Sequence, residues 1–205
     1  MTSPVPTARQ RAEGQVAGSL VSLVFAAVFF LANSGRLGAA SVPVQAAGLL
    51  AAAALAAAVL RFRRAALDAH PAGPGGPPGR NPFTGRGYLA VVGIEAAALF
   101  GGLFVLNSVL GLTGVNIAWI ALVVGTHFYA LGALWRLPVF HVLATAMTLL
   151  GLAGFAVHAL GGPPAAVDLV SGIGSGLCLL GTVAATLAAS WPRPRAARAQ
   201  PPSRA

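Results

Sequence analysis

Six long apolar runs constrain this chain more than any other feature of its sequence. A transmembrane helix needs about 17–25 predominantly apolar residues, and each run has about that length. Of the 205 residues, 57% are hydrophobic and 8% are charged, a balance that one water-soluble core could not bury. The sequence therefore predicts an all-α, polytopic membrane protein with six transmembrane helices. The runs are Val16–Ala32, Ala39–Leu60, Tyr88–Leu110, Val115–Leu134, Val139–Leu160 and Val167–Trp191.

The arginines predict how these helices are oriented. With the N-terminus in the cytosol, twelve of the thirteen basic residues fall on cytoplasmic segments, and only Arg36 falls on an outward loop. Because positive charge accumulates in cytoplasmic loops, this bias predicts that both termini are cytoplasmic. None of the basic residues is lysine, and alanine and glycine are abundant, which is typical of a GC-rich bacterial genome. We therefore expect a multi-pass protein of the bacterial inner membrane. The cytoplasmic set comprises Arg9, Arg11, Arg61, Arg63, Arg64, Arg80, Arg86, Arg136, Arg193, Arg195, Arg198 and Arg204.

The distribution of proline and glycine divides the chain into segments. Residues 1–15 and 192–205 lack a periodic apolar pattern, which predicts a disordered cytoplasmic lead and a disordered basic tail. Residues 16–60 are predicted to form a two-helix membrane hairpin, and residues 88–191 a four-helix membrane bundle. The segment 61–87 between them is rich in proline and glycine, which predicts a flexible cytoplasmic linker. The first run is too long for a secretory signal peptide and lacks a clear cleavage site, so we interpret it as a retained helix.

Three ionisable residues within the apolar runs form a candidate polar centre: Glu95, His127 and His141. Glu95 and His127 lie at similar depths from the predicted cytoplasmic ends of the third and fourth runs, whereas His141 lies nearer the cytosol in the fifth. Ionisable groups are costly in hydrocarbon and often mark a proton or ion pathway. Two interpretations stay open: a proton-handling or cation-binding centre, and an interhelical hydrogen bond that only fixes the packing.

A second set of polar residues lies at the predicted outward ends of the runs. These residues either line an outward vestibule or are the ordinary polar ends of membrane spans. They are Asn33, Ser34, Asn107, Ser108, Asn116 and Asp168.

The sequence indicates no cofactor, no metal site and no catalytic group. Cys178 is the only cysteine, which excludes an intrachain disulfide and paired thiolate ligands. His127 and His141 differ in predicted depth by about 6 Å, which disfavours haem ligation, and no H-E-x-x-H zinc pattern occurs. The run Gly172–Gly176 contains a glycine-flanked serine like that of rhomboid-type proteases, but every histidine precedes Ser175. We therefore favour a protein that is not an enzyme, and an intramembrane enzyme stays open as a third alternative, which lacks a nucleophile–base pair in a workable order. We also expect no nucleic-acid binding, because the arginines lie beside predicted spans, where they can contact lipid head groups.

Small residues predict close contacts between helices. Small-xxx-small spacings, which let helix backbones approach each other in lipid, occur at Ala98–Gly102 and Gly172–Gly176. They favour packing within the chain. The same Gly/Ala faces also suit a membrane-protein partner or a second copy of this chain within the lipid bilayer.

The segment Gly125–Leu131, which reads Gly-Thr-His-Phe-Tyr-Ala-Leu and continues to Pro138, carries one resemblance. It resembles a Gly-x-His-Phe pattern of small six-span bacterial membrane proteins of unknown function. The resemblance covers the fourth and fifth runs, implies the six-span architecture and singles out His127, but implies no reaction. The leading functional hypothesis is a small transporter or permease-like subunit with an intramembrane Glu95/His127 centre. The alternative is a structural or assembly protein that binds partners through its Gly/Ala helix faces.

Overall fold

The structure is a computed structural model that describes residues 7–69 and 85–191, and within these ranges it is helical and contains no strand. Two segments are π-helical: Val105–Val109 continues α3, and Asp168–Ile173 joins α6 to α7. Short 3-10 turns, Gly38–Ala40 and Thr113–Val115, precede α2 and α4. The α-helices are α1 Ala8–Asn33, α2 Ser41–Ala69, α3 Arg86–Phe104, α4 Asn116–Trp135, α5 Pro138–Ala159, α6 Pro164–Val167 and α7 Gly174–Ser190.

Six helical stretches of the described chain are long and apolar enough to cross a membrane, as the sequence predicts. The last of them is composite, because it contains α6, the π-helical segment Asp168–Ile173 and α7. The stretches are Ala8–Asn33, Gly38–Ala69, Arg86–Val109, Thr113–Trp135, Pro138–Ala159 and Pro164–Ser190.

The first helix begins earlier than predicted. We expected a disordered lead up to residue 15, but α1 begins at Ala8. A capping box explains the difference: Thr7 Oγ1 accepts from Gln10 N at 3.2 Å, and Gln10 Oε1 accepts from Thr7 N at 2.9 Å. An ion pair between Arg9 and Glu13, one helical turn apart, supports the same turn. Residues 1–6 of the predicted lead lie outside the described part of the chain.

The second helix ends later than predicted. We expected a flexible linker from residue 61, but α2 continues to Ala69. The residues after Leu60 include no proline or glycine before Pro71, so nothing in the chain breaks the helix. Phe62 also packs against Trp191, with ring centroids 6.2 Å apart, which holds the extension against the bundle. The rest of the predicted linker up to residue 84, and the predicted tail 192–205, lie outside the described residues.

One apolar core joins the predicted hairpin to the predicted four-helix bundle. At its centre α7 packs against α1, α2 and α5, and α4 packs along α5. Buried side chains from both predicted units meet there, among them Phe30, Val59, Met147 and Leu179. By contrast, α3 packs mainly on α4 and contains no buried residue. The bundle therefore has a compact interior and one peripheral helix.

Glycines bring α4 and α5 into close contact. A β-carbon at Gly151 would lie 2.6 Å from the backbone nitrogen of Leu122, and one at Gly125 would lie 2.5 Å from that of Thr148. Both distances are shorter than any real carbon contact permits. The interface between α4 and α5, the most extensive helix pair of the fold, therefore depends on the absence of these two side chains.

The two predicted small-xxx-small pairs are used within the chain. The indole of Trp119 occupies the space beside Gly102, and its Nε1 donates to Ala98 O at 3.3 Å. Gly172 lies against Asn33, and Gly176 lies against Phe30. These glycines and alanines therefore serve packing between helices of this chain.

The helix order places the described basic residues at one end of the bundle and Arg36 at the other. The membrane orientation remains a prediction, and single cysteines test it in a Cys178→Ser background. Gly35→Cys should react with a membrane-impermeant maleimide on intact cells, whereas Leu137→Cys should react only after the membrane is opened. The reverse pattern of labelling would overturn the predicted orientation.

Candidate functional site

The structure brings Glu95 and His127 together between α3 and α4. Glu95 lies nine residues after Arg86 in α3, and His127 lies eight residues before Trp135 in α4, so both are about 12–14 Å from the same end of the bundle. Glu95 Oε2 lies 3.1 Å from His127 Nδ1. Because α3 and α4 are consecutive and antiparallel, residues at equal depths on their facing sides meet.

The contact is close but poorly aligned. His127 Nδ1 has no hydrogen-bond partner of good geometry, although the carboxyl oxygen lies within hydrogen-bonding distance of it. The His127 side chain is 10% exposed and that of Glu95 is 22% exposed, so the imidazole is the more buried of the two groups. The ring also meets Phe128 edge to face, with centroids 5.5 Å apart. The two groups therefore approach each other without forming a hydrogen bond of good geometry.

His141 does not join this pair. Its ring lies against Tyr129, with centroids 6.0 Å apart, and beside Gly132. Residues 127 and 129 project to nearly opposite sides of a helix with about 3.6 residues per turn, so α4 separates His141 from His127. The sequence predicted His141 near the Glu95–His127 pair because of its depth along the fifth run. In the structure it lies instead at the interface between α4 and α5, beside Tyr129 and Gly132.

Polar side chains form a second site at the opposite end of the bundle, where a cavity of about 270 Å³ opens. Three members of the predicted outward set, Asn33, Asn116 and Asp168, line it, and Arg36 lines it with them. A fourth member, Asn107, lies behind this wall, where its side-chain amide exchanges two hydrogen bonds with that of Asn116, at 3.0 and 3.1 Å.

The remaining two members of the predicted set lie apart from the cavity lining. Ser34 is 1% exposed, and Ser108 is exposed on the π-helical segment that continues α3.

Arg36 is the functional candidate that the sequence analysis missed. It entered that analysis only as the single outward arginine, yet its Nη1 lies 3.3 Å from Asp168 Oδ2. The signal was present in the sequence, because Asp168 is the only acidic residue at the outer ends of the runs. Opposite charges at one end of a bundle are expected to approach each other.

Within the described ranges, no group of three or more histidine, cysteine or acidic side chains converges on a point that could hold a metal ion. Ser175 is fully buried in α7, in the tightly packed glycine run that also contacts α1.

Comparisons with known proteins identify no relative: no family model, no curated protein and no solved structure matches this chain.

Proposed function

We propose that this chain is a small transporter-like membrane protein in which Glu95 and His127 exchange a proton. The observation that carries the proposal is the 3.1 Å approach of the Glu95 carboxyl to the His127 imidazole inside two apolar spans. Ionisable groups at such a depth are rare, and where they occur they tend to face each other along proton or ion pathways.

The chemistry requires only these two side chains. A neutral imidazole protonated at Nε2 presents a lone pair at Nδ1, and a protonated carboxyl presents an O–H to it. Transfer of that proton leaves a carboxylate beside an imidazolium, and the two new charges attract each other.

The position of the pair also links its charge to helix movement. The α3 helix packs mainly on α4 and has no buried residue. The Glu95–His127 pair, the Trp119 indole and the stacked rings of Tyr88 and Trp135, 5.9 Å apart, connect it to α4. A change in charge at the pair therefore acts on the helix that is least constrained by the core. Transport requires such a coupling between a bound proton and a movable element.

Proteoliposomes that contain the pH dye pyranine test this function. A negative internal potential is imposed with potassium and valinomycin, and a panel of small polar solutes is then added outside. We expect at least one solute to acidify the lumen with the wild-type protein, and no solute to do so with Glu95→Gln. The matched control is Glu13→Gln, because Glu13 is an exposed carboxylate at the helix end. Equal acidification by wild type and Glu95→Gln would contradict the proposal.

An assembly role is the second candidate, and the outer face of α3 favours it. Gly93 and Gly101 lie on this helix with open space around them, and Ile94 and Phe100 beside them are 71% and 69% exposed. This face would suit a second membrane helix. Gly93→Leu together with Gly101→Leu should then abolish cross-linking to a partner or to a second copy, while leaving the proton flux of the first proposal unchanged.

A further inference from the structure

The outer cavity differs from the Glu95–His127 pair in position and in chemistry. It lies at the other end of the bundle, between the end of α1, the start of α4 and the start of the last span. Its lining combines one guanidinium, one carboxylate and two side-chain amides with apolar residues such as Ile117 and Ile120. Its volume of about 270 Å³ lies just below the range of about 300–1,000 Å³ that is typical of ligand pockets, so it suits a small solute.

Arg36 and Asp168 form an ion pair in this cavity, but the pair uses only one nitrogen of the guanidinium group. Arg36 Nη1 lies 3.4 and 3.3 Å from the two carboxylate oxygens of Asp168. Charge-assisted N–H···O bonds are usually about 2.7–2.9 Å long, and a bidentate arginine pair uses two nitrogens. Both contacts here use the same nitrogen, Nη1. Within the described part of the chain, Nε and Nη2 of Arg36 have no acceptor, so both can donate to a ligand.

The two charged groups differ in their access to solvent. The Asp168 side chain is 9% exposed, whereas that of Arg36 is 60% exposed. A buried carboxylate needs compensation for its lost hydration, and a long contact to one exposed guanidinium supplies little of it. A ligand ammonium group in the cavity would supply the rest.

Hydrogen bonds and close contacts hold the wall around Asp168. Asp168 begins the π-helical segment, where Ser171 Oγ donates to Leu150 O at 2.8 Å and Gly172 lies against Asn33. Asn33 Nδ2 in turn donates to Phe29 O at 2.8 Å. Segments of π-helix inside α-helices occur frequently at functional sites, and the other π-helical segment, Val105–Val109, lies at the same end of the bundle.

We infer that this cavity binds a small zwitterion, with its anionic group on Arg36 and its ammonium group on Asp168. A ligand of one charge would leave either the guanidinium or the carboxylate uncompensated, whereas a zwitterion serves both groups. The same chemistry has two sources at the outer end of a membrane span: a free amino-acid-like solute, and the phosphate and ammonium of a phosphatidylethanolamine head group.

Binding of defined probes to the purified full chain in phosphatidylglycerol nanodiscs tests this inference. The zwitterionic probes are β-alanine and O-phosphoethanolamine, and the single-charge controls are acetate and methylamine. We expect calorimetry to detect binding of a zwitterion and much weaker binding of both controls. Nanodiscs that also contain phosphatidylethanolamine should weaken the binding of O-phosphoethanolamine if the head group is the natural occupant. If a free solute is the occupant, this lipid should leave the binding of β-alanine unchanged.

Two variants test whether the charged groups of Arg36 and Asp168 hold the ligand. Arg36→Gln and Asp168→Asn should each weaken binding about tenfold or more, the effect of losing a hydrogen bond to a charged group. Arg36→Gln is the decisive variant, because the Arg36 side chain is 60% exposed and its replacement disturbs the packing less than a change at the buried Asp168. Arg64→Gln, at the other end of the bundle, should bind like wild type.

The inference is overturned if neither zwitterionic probe binds in phosphatidylglycerol nanodiscs, or if Arg36→Gln binds like wild type. Glu95→Gln should retain the binding, because the pair does not line the cavity. Loss of proton flux with retained binding would therefore separate the two proposals.

Discussion

Replacing Gly151 by alanine should lower the free energy of unfolding by about 1–3 kcal/mol, the usual cost of forcing one methyl group into a packed interface. The β-carbon would lie 2.6 Å from Leu122 N and 2.9 Å from Ala118 O, and both are backbone atoms that cannot rotate away. The whole of α4 would have to move away from α5. Gly151→Leu should abolish the folded bundle, as measured by the yield of monodisperse protein after purification.

The matched control is Gly181→Ala in α7, where a β-carbon would meet nothing within 4 Å. Alanine is the better helix former, so this variant should unfold at the same temperature as wild type or a higher one. Thermal unfolding in detergent compares the two glycine variants directly. If both variants unfold at the wild-type temperature, α4 and α5 are not as close as the structure places them.

Glu95→Gln should abolish solute-driven proton flux while changing the free energy of unfolding by less than about 1 kcal/mol. Interhelical polar contacts in membranes contribute about 0.6 kcal/mol on average, and glutamine keeps a polar group beside His127 Nδ1. Glutamine cannot release a proton, so the flux should be lost completely. Pyranine fluorescence measures the flux, and thermal unfolding measures the stability.

Comparing Glu95→Leu with Glu95→Gln distinguishes the loss of the exchangeable proton from the loss of the polar contact between the helices. Glu95→Leu should also abolish flux, but it should cost more stability than glutamine because it leaves the buried Nδ1 beside an apolar side chain. Full proton flux in both the glutamine and the leucine variants would show that the pair has no role in transport.

The six helices could be predicted from the sequence because their physical cause is local. A run of about 20 apolar residues must satisfy its backbone within itself, so length and hydropathy define each span. The predicted ends of α1 and α2 are wrong because interactions other than hydropathy determine where these helices begin and end. The capping box of Thr7 and Gln10 extends α1, and the contact of Phe62 with Trp191 accompanies the extension of α2.

The candidate sites could be predicted only in part, because depth along a helix follows from sequence but direction around it does not. Equal depth brought Glu95 and His127 together, whereas the face of α4 separates His141 from them. The π-helical segment that begins at Asp168, within the last span, has no sequence signal of its own. The Arg36–Asp168 contact joins residues 132 positions apart, so its only signal in the sequence is that one outward arginine and one acidic residue share the outer ends of the runs.

Isotope-edited infrared spectroscopy tests the proton-exchange proposal most directly. The chain contains only two glutamates, Glu13 and Glu95, so carbon-13 labelling of glutamate in a Glu13→Gln protein marks the Glu95 carboxyl alone. If Glu95 exchanges a proton, its labelled C=O band should appear and disappear as the pH of the nanodisc sample is changed. The proposal further predicts that His127→Gln displaces this transition. A labelled carboxyl that never changes its protonation, or one that titrates identically with and without His127, would contradict the proposal that the two groups share a proton.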